Sequence, residues 1–237
     1  MSIVKSEAIV TKGFRYGEAS KIITLYTRDF GKFNALVKSA RSVKSRSSGV
    51  FDNINHVSII FNKKDTSDLQ FISKGECINS FSKIKSDLDK LSSAFRIIEL
   101  VNHATHDYDN NEDIFDLLST CLFRLNECER NKGNYLLYFQ ANLTKHMGIK
   151  PELVDDNPLP GRGAAETFNS LNALKLSRKE YPIVNSLFER DLDFTGNMVL
   201  DDRDTEKIGN KFDHYLSSHL EKFGYLKTKN ILHELKS

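Results

Sequence analysis

The chain has 237 residues, of which 39% are hydrophobic and 28% charged; that apolar share supports a buried core and excludes a wholly disordered chain. The length fits one large domain or two to three small ones. The net charge of +2 hides an uneven distribution, because residues 1–80 hold 13 Lys and Arg against 7 Asp and Glu while the rest hold 21 against 25, and a basic first third points to a polyanionic partner there.

The first 80 residues read as strands. Ile9-Val10 lies in a short β-prone run, and Ile22-Ile23-Thr24-Leu25-Tyr26-Thr27 is β-branched and aromatic, the side chains that fit a pleated surface. Asp29-Phe30-Gly31-Lys32 reads as a tight turn. Phe33, Ala35 and Val37 then alternate with polar positions, as do Val57, Ile59 and Phe61, the period of half-buried strands. Asn62-Lys63-Lys64-Asp65 supplies another turn, and Leu69, Phe71 and Cys77-Ile78 close the set. Four short strands and a fifth fragment predict a small closed barrel rather than a βαβ sheet.

From about residue 84 the period becomes helical. Leu88, Leu91, Phe95, Ile98, Leu100 and Val101 mark a first helix, with Ser86-x-x-Asp89 as its start signal. A second carries Ile114, Phe115, Leu117, Leu118, Leu122 and Leu125, its pattern ending near Gly133. A third carries Tyr135, Leu136, Leu137, Phe139, Leu143 and Met147 and stops at Gly148. Each buries one stripe, so the three are expected to pack as a bundle. Pro151, Pro158, Pro160, Gly161 and Gly163 mark a loop-rich excursion over about 150–180. Helical period returns near Tyr181 to Phe188 and again from Ile208 to Phe223, with Gly224 as a C-cap and a last short helix from Thr228 to Leu235.

Cys77, Cys121 and Cys128 are an odd count without C-x-x-C spacing, against both a disulfide framework and a zinc ribbon. Cys121 and Cys128 share a helical face as two small buried thiols. No apolar run approaches the ~18 residues of a membrane span, and the acid at Glu7 comes too early for a signal peptide. The expected compartment is the cytoplasm.

The sharpest local feature is Phe30 to Phe51, which holds Lys32, Lys38, Arg41, Lys44 and Arg46, six Ser or Gly residues between 39 and 49, and no acid. Its cations and hydroxyls suit phosphate contacts. Phe14, Tyr16, Phe33 and Phe51 are nearby rings that either stack on bases or fill the core. Catalytic motifs are missing. A Walker A loop ending at Lys38-Ser39 needs glycine where Lys32 and Val37 stand, and no G-x-S-x-G occurs. His103, His106, Asp107 and Asp109 form a helix-end cluster with no third metal ligand indicated, and Asp201, Asp202 and Asp204 read as first-turn acids on a helix dipole. No cofactor and no enzymatic activity are expected.

The order of these features resembles the RecO family of bacterial recombination mediators. Glu7-Ala8-Ile9-Val10, the block from Arg15-Tyr16-Gly17-Glu18 to Tyr26-Thr27, Phe30-Gly31-Lys32, Ala40-Arg41 and Lys44-Ser45-Arg46 carry the likeness in the first third. Glu99-Leu100, Phe115-x-Leu117-Leu118, Leu122-x-x-Leu125, Phe139, Leu143, Gly148-x-x-Pro151, Tyr215-Leu216-x-x-His219-Leu220 and Lys227 to Leu235 extend it. The resemblance implies an α+β protein, with a five-stranded oligonucleotide-binding (OB-fold) barrel over 1–80 and an all-α helical bundle domain over 81–237. Many relatives carry a four-cysteine zinc module after G-x-x-P; no cysteine follows Cys128 here, so the excursion replaces it and no metal is expected.

It further implies binding of single- and double-stranded DNA, annealing of complementary strands, association with RecR and with the C-terminal tail of single-strand-binding protein, and indirect help to RecA. Lys12, Arg15, Lys32, Lys38, Arg41, Lys44 and Arg46 are the expected DNA-binding residues. Lys132, Lys145 and Lys150 are the expected basic rim for the apolar, carboxylate-ending tail. An RNA-binding or protein-adaptor barrel without annealing activity is the alternative. The first would prefer RNA to DNA of the same sequence, and the second would show no salt-dependent nucleic-acid binding.

Overall fold

The structure, a computed structural model, describes residues 2–38, 49–64, 67–156 and 171–220. Five strands, β1 (Ser2–Tyr16), β2 (Ser20–Thr27), β3 (Gly31–Val37), β4 (His56–Lys63) and β5 (Leu69–Asn79), close a barrel in the order β1-β2-β3-β5-β4. Antiparallel pairing of β1 with β4 completes the ring, and only β3 and β5 run parallel. This is the small closed barrel that the strand pattern predicts and the five-stranded OB-fold that the resemblance implies. Ala8, Val10, Ile23, Leu25, Phe33, Ala35, Val37, Phe51, Val57, Ile59 and Phe61 fill its interior. Phe33 and Phe51 are 1% exposed, so these two rings are core and not stacking groups.

β1 is far longer than its sequence signal, and it changes phase. Ala8 and Val10 point inward, but the register slips between Val10 and Lys12. Thr11 is the extra residue, and its hydroxyl donates to the Thr24 carbonyl at 3.2 Å. Such a bulge lets two residues oppose one and inverts the alternation beyond it. Lys12, paired with Thr24, therefore turns outward, and Phe14 and Tyr16 follow.

The helical part begins with α1 (Ser82–Lys85), followed by α2 (Leu88–Ala104), α3 (Glu112–Glu127) and α4 (Lys132–His146). The cap of α2 is Asp87, one residue beyond the expected Ser86; its carboxylate accepts from the Asp89 and Lys90 amides. Gly133 does not end α3. It lies in the first turn of α4, where a Cβ would come 2.7 Å from Thr205 Cγ2. Cys128 follows α3 in extended backbone, so Cys121, fully buried on that helix, does not share a helical face with it.

The excursion is more regular than a loop. β6 (Glu152–Asp155) and β7 (Ala173–Leu176) pair in parallel, and residues 157–170 between them lie outside the described set. Then come α5 (Glu180–Glu189), a short α6 (Leu192–Asn197) that the sequence signal missed, and α7 (Asp202–His219). Asp201 caps α7 by accepting from the Asp204 amide. Gly224 and the helix expected over 228–235 lie outside the described residues.

Barrel and bundle share a core. Ile9, Tyr26 and Ile54, on the outside of the barrel, join Phe81, Ile97, Val101, Phe115 and Leu118. The α2–α3 connection crosses β3 closely. Gly31 has φ +65°, and a Cβ there would stand 2.3 Å from the Asp109 carbonyl oxygen. The Lys32 ammonium donates to the Asn102 and Thr105 carbonyls at 2.8 and 2.5 Å and lies 3.6 Å from Asp107. It thus serves the open C-terminal carbonyls of α2. Tyr108 stacks on Phe33, accepts from Gln70 Nε2 and donates to the Ser67 carbonyl. Arg28 lies over the Phe115 ring and pairs with Asp116.

Two predictions follow from this joint. Gly31→Ala strains a left-handed backbone and collides with Asp109; denaturant unfolding should show a loss of at least about 2 kcal/mol. His56 contacts Glu7 at 3.0 Å and meets the Phe115 ring in an edge arrangement. Burial pushes its pKa below the ordinary 6.5, against the opposing pull of Glu7. The unfolded chain then binds this proton more readily, so its contribution to stability holds above about pH 6.5 and fades as the pH falls. Unfolding at pH 7.5 and 5.5 should show acid destabilisation, smaller in His56→Gln; an equal drop in both proteins removes His56 as a cause.

Candidate nucleic-acid interface

The barrel surface away from the helices is built from three lateral rows. Register places Lys12, Thr24, Asn34 and Leu69 side by side, and the Thr24 hydroxyl donates to Asn34 Oδ1 at 2.8 Å. The next row is Phe14, Ile22, Leu36 and Phe71. The third begins with Tyr16 and Ser20 at the tip of the β1–β2 hairpin. Directly paired residues project to one face, so the rows form one apolar strip edged with polar groups. Phe14 and Tyr16 are 53% and 54% exposed, and Phe71 36%. The ammonium groups of Lys38 and Lys64 stand 5.7 and 5.9 Å from the Phe71 ring centre. No acid occupies a described position of these rows.

The residues expected to meet DNA divide accordingly. Lys12 and Lys38 are exposed on this face. Arg15 is exposed too, but it pairs with Lys21 on the opposite side of the hairpin; Lys21 itself holds the Phe51 carbonyl and Asp52. Lys32 is withdrawn from the surface set, because its ammonium anchors α2. Arg41, Lys44 and Arg46 lie outside the described residues. Phe71 escaped the sequence reading; an aromatic two residues after Leu69 is also what a core strand looks like, and only the register with Leu36 turns it outward.

The expected basic rim for a peptide tail does not converge. Lys132 starts α4 and is held by Asp87 at 2.6 Å, with Asp89 at 3.8 Å. Lys145 ends the same helix, about 20 Å away at the rise of an α-helix. Lys150 lies 3.4 Å from Glu189 and over the Phe188 ring. At this end of α4 a cleft of about 480 Å³ opens, lined by His103, His106, Asp109, His146, Met147 and His219 among others. The histidines do not gather at one point: among the described residues no group of three His, Cys, Asp or Glu is placed to hold a metal ion. No helix among them is long and apolar enough to cross a membrane.

Comparison with known proteins accounts for both parts of the chain. Residues 1–81 match the family model described as "Recombination protein O N terminal", and residues 85–229 match "Recombination protein O C terminal". Among curated proteins, the DNA repair protein RecO of Chlorobium limicola is 34% identical over 151 residues, covering 64% of this chain and 58% of that protein. The DNA repair protein RecO of Pelodictyon phaeoclathratiforme is 32% identical over 151 residues with the same coverage, and that of Salinibacter ruber is 31% identical over 150 residues, 63% of this chain and 58% of that protein. The match thus spans rather more than half the length of these relatives. With its barrel and its helical part each matched in chain order, the chain belongs to the recombination protein O family.

Proposed function

We propose that this chain is a non-enzymatic DNA-binding recombination mediator in DNA repair. It binds single- and double-stranded DNA, anneals complementary strands, and assists RecA loading on strands coated by single-strand-binding protein, acting with RecR. The observation that supports this reading best is the exposed apolar strip on the barrel, whose rows hold no acid at a described position and which Lys12, Lys38 and Lys64 border. Annealing must bring two polyanions together, so backbone repulsion is the barrier. Cations on the barrel, joined by Arg15 on the far side of the hairpin and by Arg41, Lys44 and Arg46 of the β3–β4 connection, neutralise phosphates and release counterions. The arrangement needs no bond-making chemistry, only charge and geometry.

The helical part is the partner-binding half in this reading. Lys145 and Lys150 remain the candidate rim for the tail of single-strand-binding protein, since they lie at the cleft end of α4. Lys132 is dropped from that rim because it stands at the other end of the helix.

The test is binding and annealing across a salt series. Changing Arg41, Lys44 and Arg46 together to alanine should weaken binding to every sequence. Each lost phosphate contact should lower the log–log salt slope for single strands by about 0.7. Lys32→Met serves as a control: losing charge-assisted hydrogen bonds should cost stability by about 2–3 kcal/mol while leaving that slope unchanged. An unaltered slope in the triple variant would exclude the connection as a phosphate contact. Failure of the intact protein to anneal either bare or coated complementary strands would sink the mediator reading.

A further inference from the structure

We infer that Phe14, Tyr16 and Phe71 form a base-stacking platform that makes the barrel face selective for unpaired strands; this rests on the DNA reading above and adds to it which form of DNA the face takes. A duplex reaches a protein through its phosphates and groove edges, and its base faces are closed by stacking. An exposed ring in a basic setting therefore has little to offer a duplex. To a single strand it offers a π-face, which any base accepts.

The placement of the three rings is specific to this use. The bulge at Thr11 turns Phe14 and Tyr16 outward, although continued alternation from Val10 would have set them on the side that Val10 faces. They follow each other on one face of β1, about 7 Å apart by strand geometry. That is about twice the 3.4 Å step of stacked bases, the separation that successive bases reach when a ring lies between them. Phe71 stands three strands away in the same row as Phe14, about 14 Å off. Half-buried Ile22 and Leu36 make the apolar floor between.

Charge complementarity identifies the occupant. Lys12 borders the strip on one side, and Lys38 and Lys64 overhang Phe71. A strand whose bases lie on the rings thus has its phosphates at the cationic margin. An apolar peptide would find the same floor, but it would leave the lysines without counter-charge.

The experiment uses the full chain with Phe14→Ala, Tyr16→Ala and Phe71→Ala, singly and together, and with Phe14→Tyr and Phe71→Tyr, which keep the ring. Affinity is measured for a single strand, the duplex of the same sequence, and an abasic strand of equal charge, each over a salt series. Each lost ring should weaken single-strand binding by about tenfold, and the tyrosine variants should retain it. Duplex affinity should stay within about twofold and the salt slope should not move, because no phosphate contact is removed. The intact protein should bind the abasic strand more weakly than the normal one. Equal losses on single strand and duplex, or abasic and normal strands bound equally by the intact protein, would overturn the platform while leaving DNA binding standing. Absence of any salt-dependent binding by the intact protein would overturn the DNA reading itself, and the platform with it.

Discussion

One extra residue in β1 decides which surface of the barrel is wet. Up to Val10 the strand follows a simple alternation, with Ala8 and Val10 in the barrel and Ile9 against the helices. Thr11 breaks it: Val10 still pairs with Leu25, while its own amide donates to the Asn55 carbonyl and its carbonyl accepts from the Ile54 amide. Beyond that point Gly13 faces the barrel interior, where a Cβ would approach Ile23 and Asn53, and the large side chains face solvent. Without the bulge, Lys12 would be driven into an apolar core, at a cost no small barrel can absorb. The bulge therefore has a structural reason, and the proposed base-stacking platform is its consequence.

The other side of the barrel is consumed by docking. Tyr26 and Ile9 enter the helical core, Gly31 leaves room for the backbone of Asp109, and Lys32 and Arg28 are neutralised by helix ends and acids. This division explains why the bulk charge of the first third is a crude guide. Some of its cations hold the molecule together, and only those facing away from the bundle are available to an outside polyanion. The acidic bundle is a poor surface for DNA, which further restricts the candidate interface to the barrel's far face.

Much of the architecture was legible in the sequence because it rests on period and local chemistry. Phe33, Ala35 and Val37, or Val57, Ile59 and Phe61, alternate as strands must, and the stripes of α2 to α4 repeat as helices must. What the sequence concealed depends on register and on long-range partners. Alternation says that a residue faces one side but not which side. Phe33 and Phe14 thus looked equally available, although one is buried and the other half exposed. Lys32 belonged to a basic run by composition and to α2 by contact. Lys132 and Lys145 looked like neighbours in a list, while a straight helix holds them at opposite ends. The short parallel pair β6–β7 had no periodic signal at all, since four residues are too few to establish one.

The same physics separates two contributions that a basic barrel can make to a strand. Lysines act on phosphates, which every nucleic acid presents, and their effect weakens steeply with salt. Rings act on base faces, which are open only in an unpaired strand, and salt hardly touches that term. A face with both holds a strand by charge and senses its pairing state by stacking. For the proposed annealing the combination has a direct consequence. Once a complementary strand pairs with the bound one, its bases close against each other and leave the rings, while the phosphates keep their lysines. On the proposed reading, the product then loses the share of binding that stacking supplied, and the face is returned to the next unpaired strand without any energy source beyond base pairing itself.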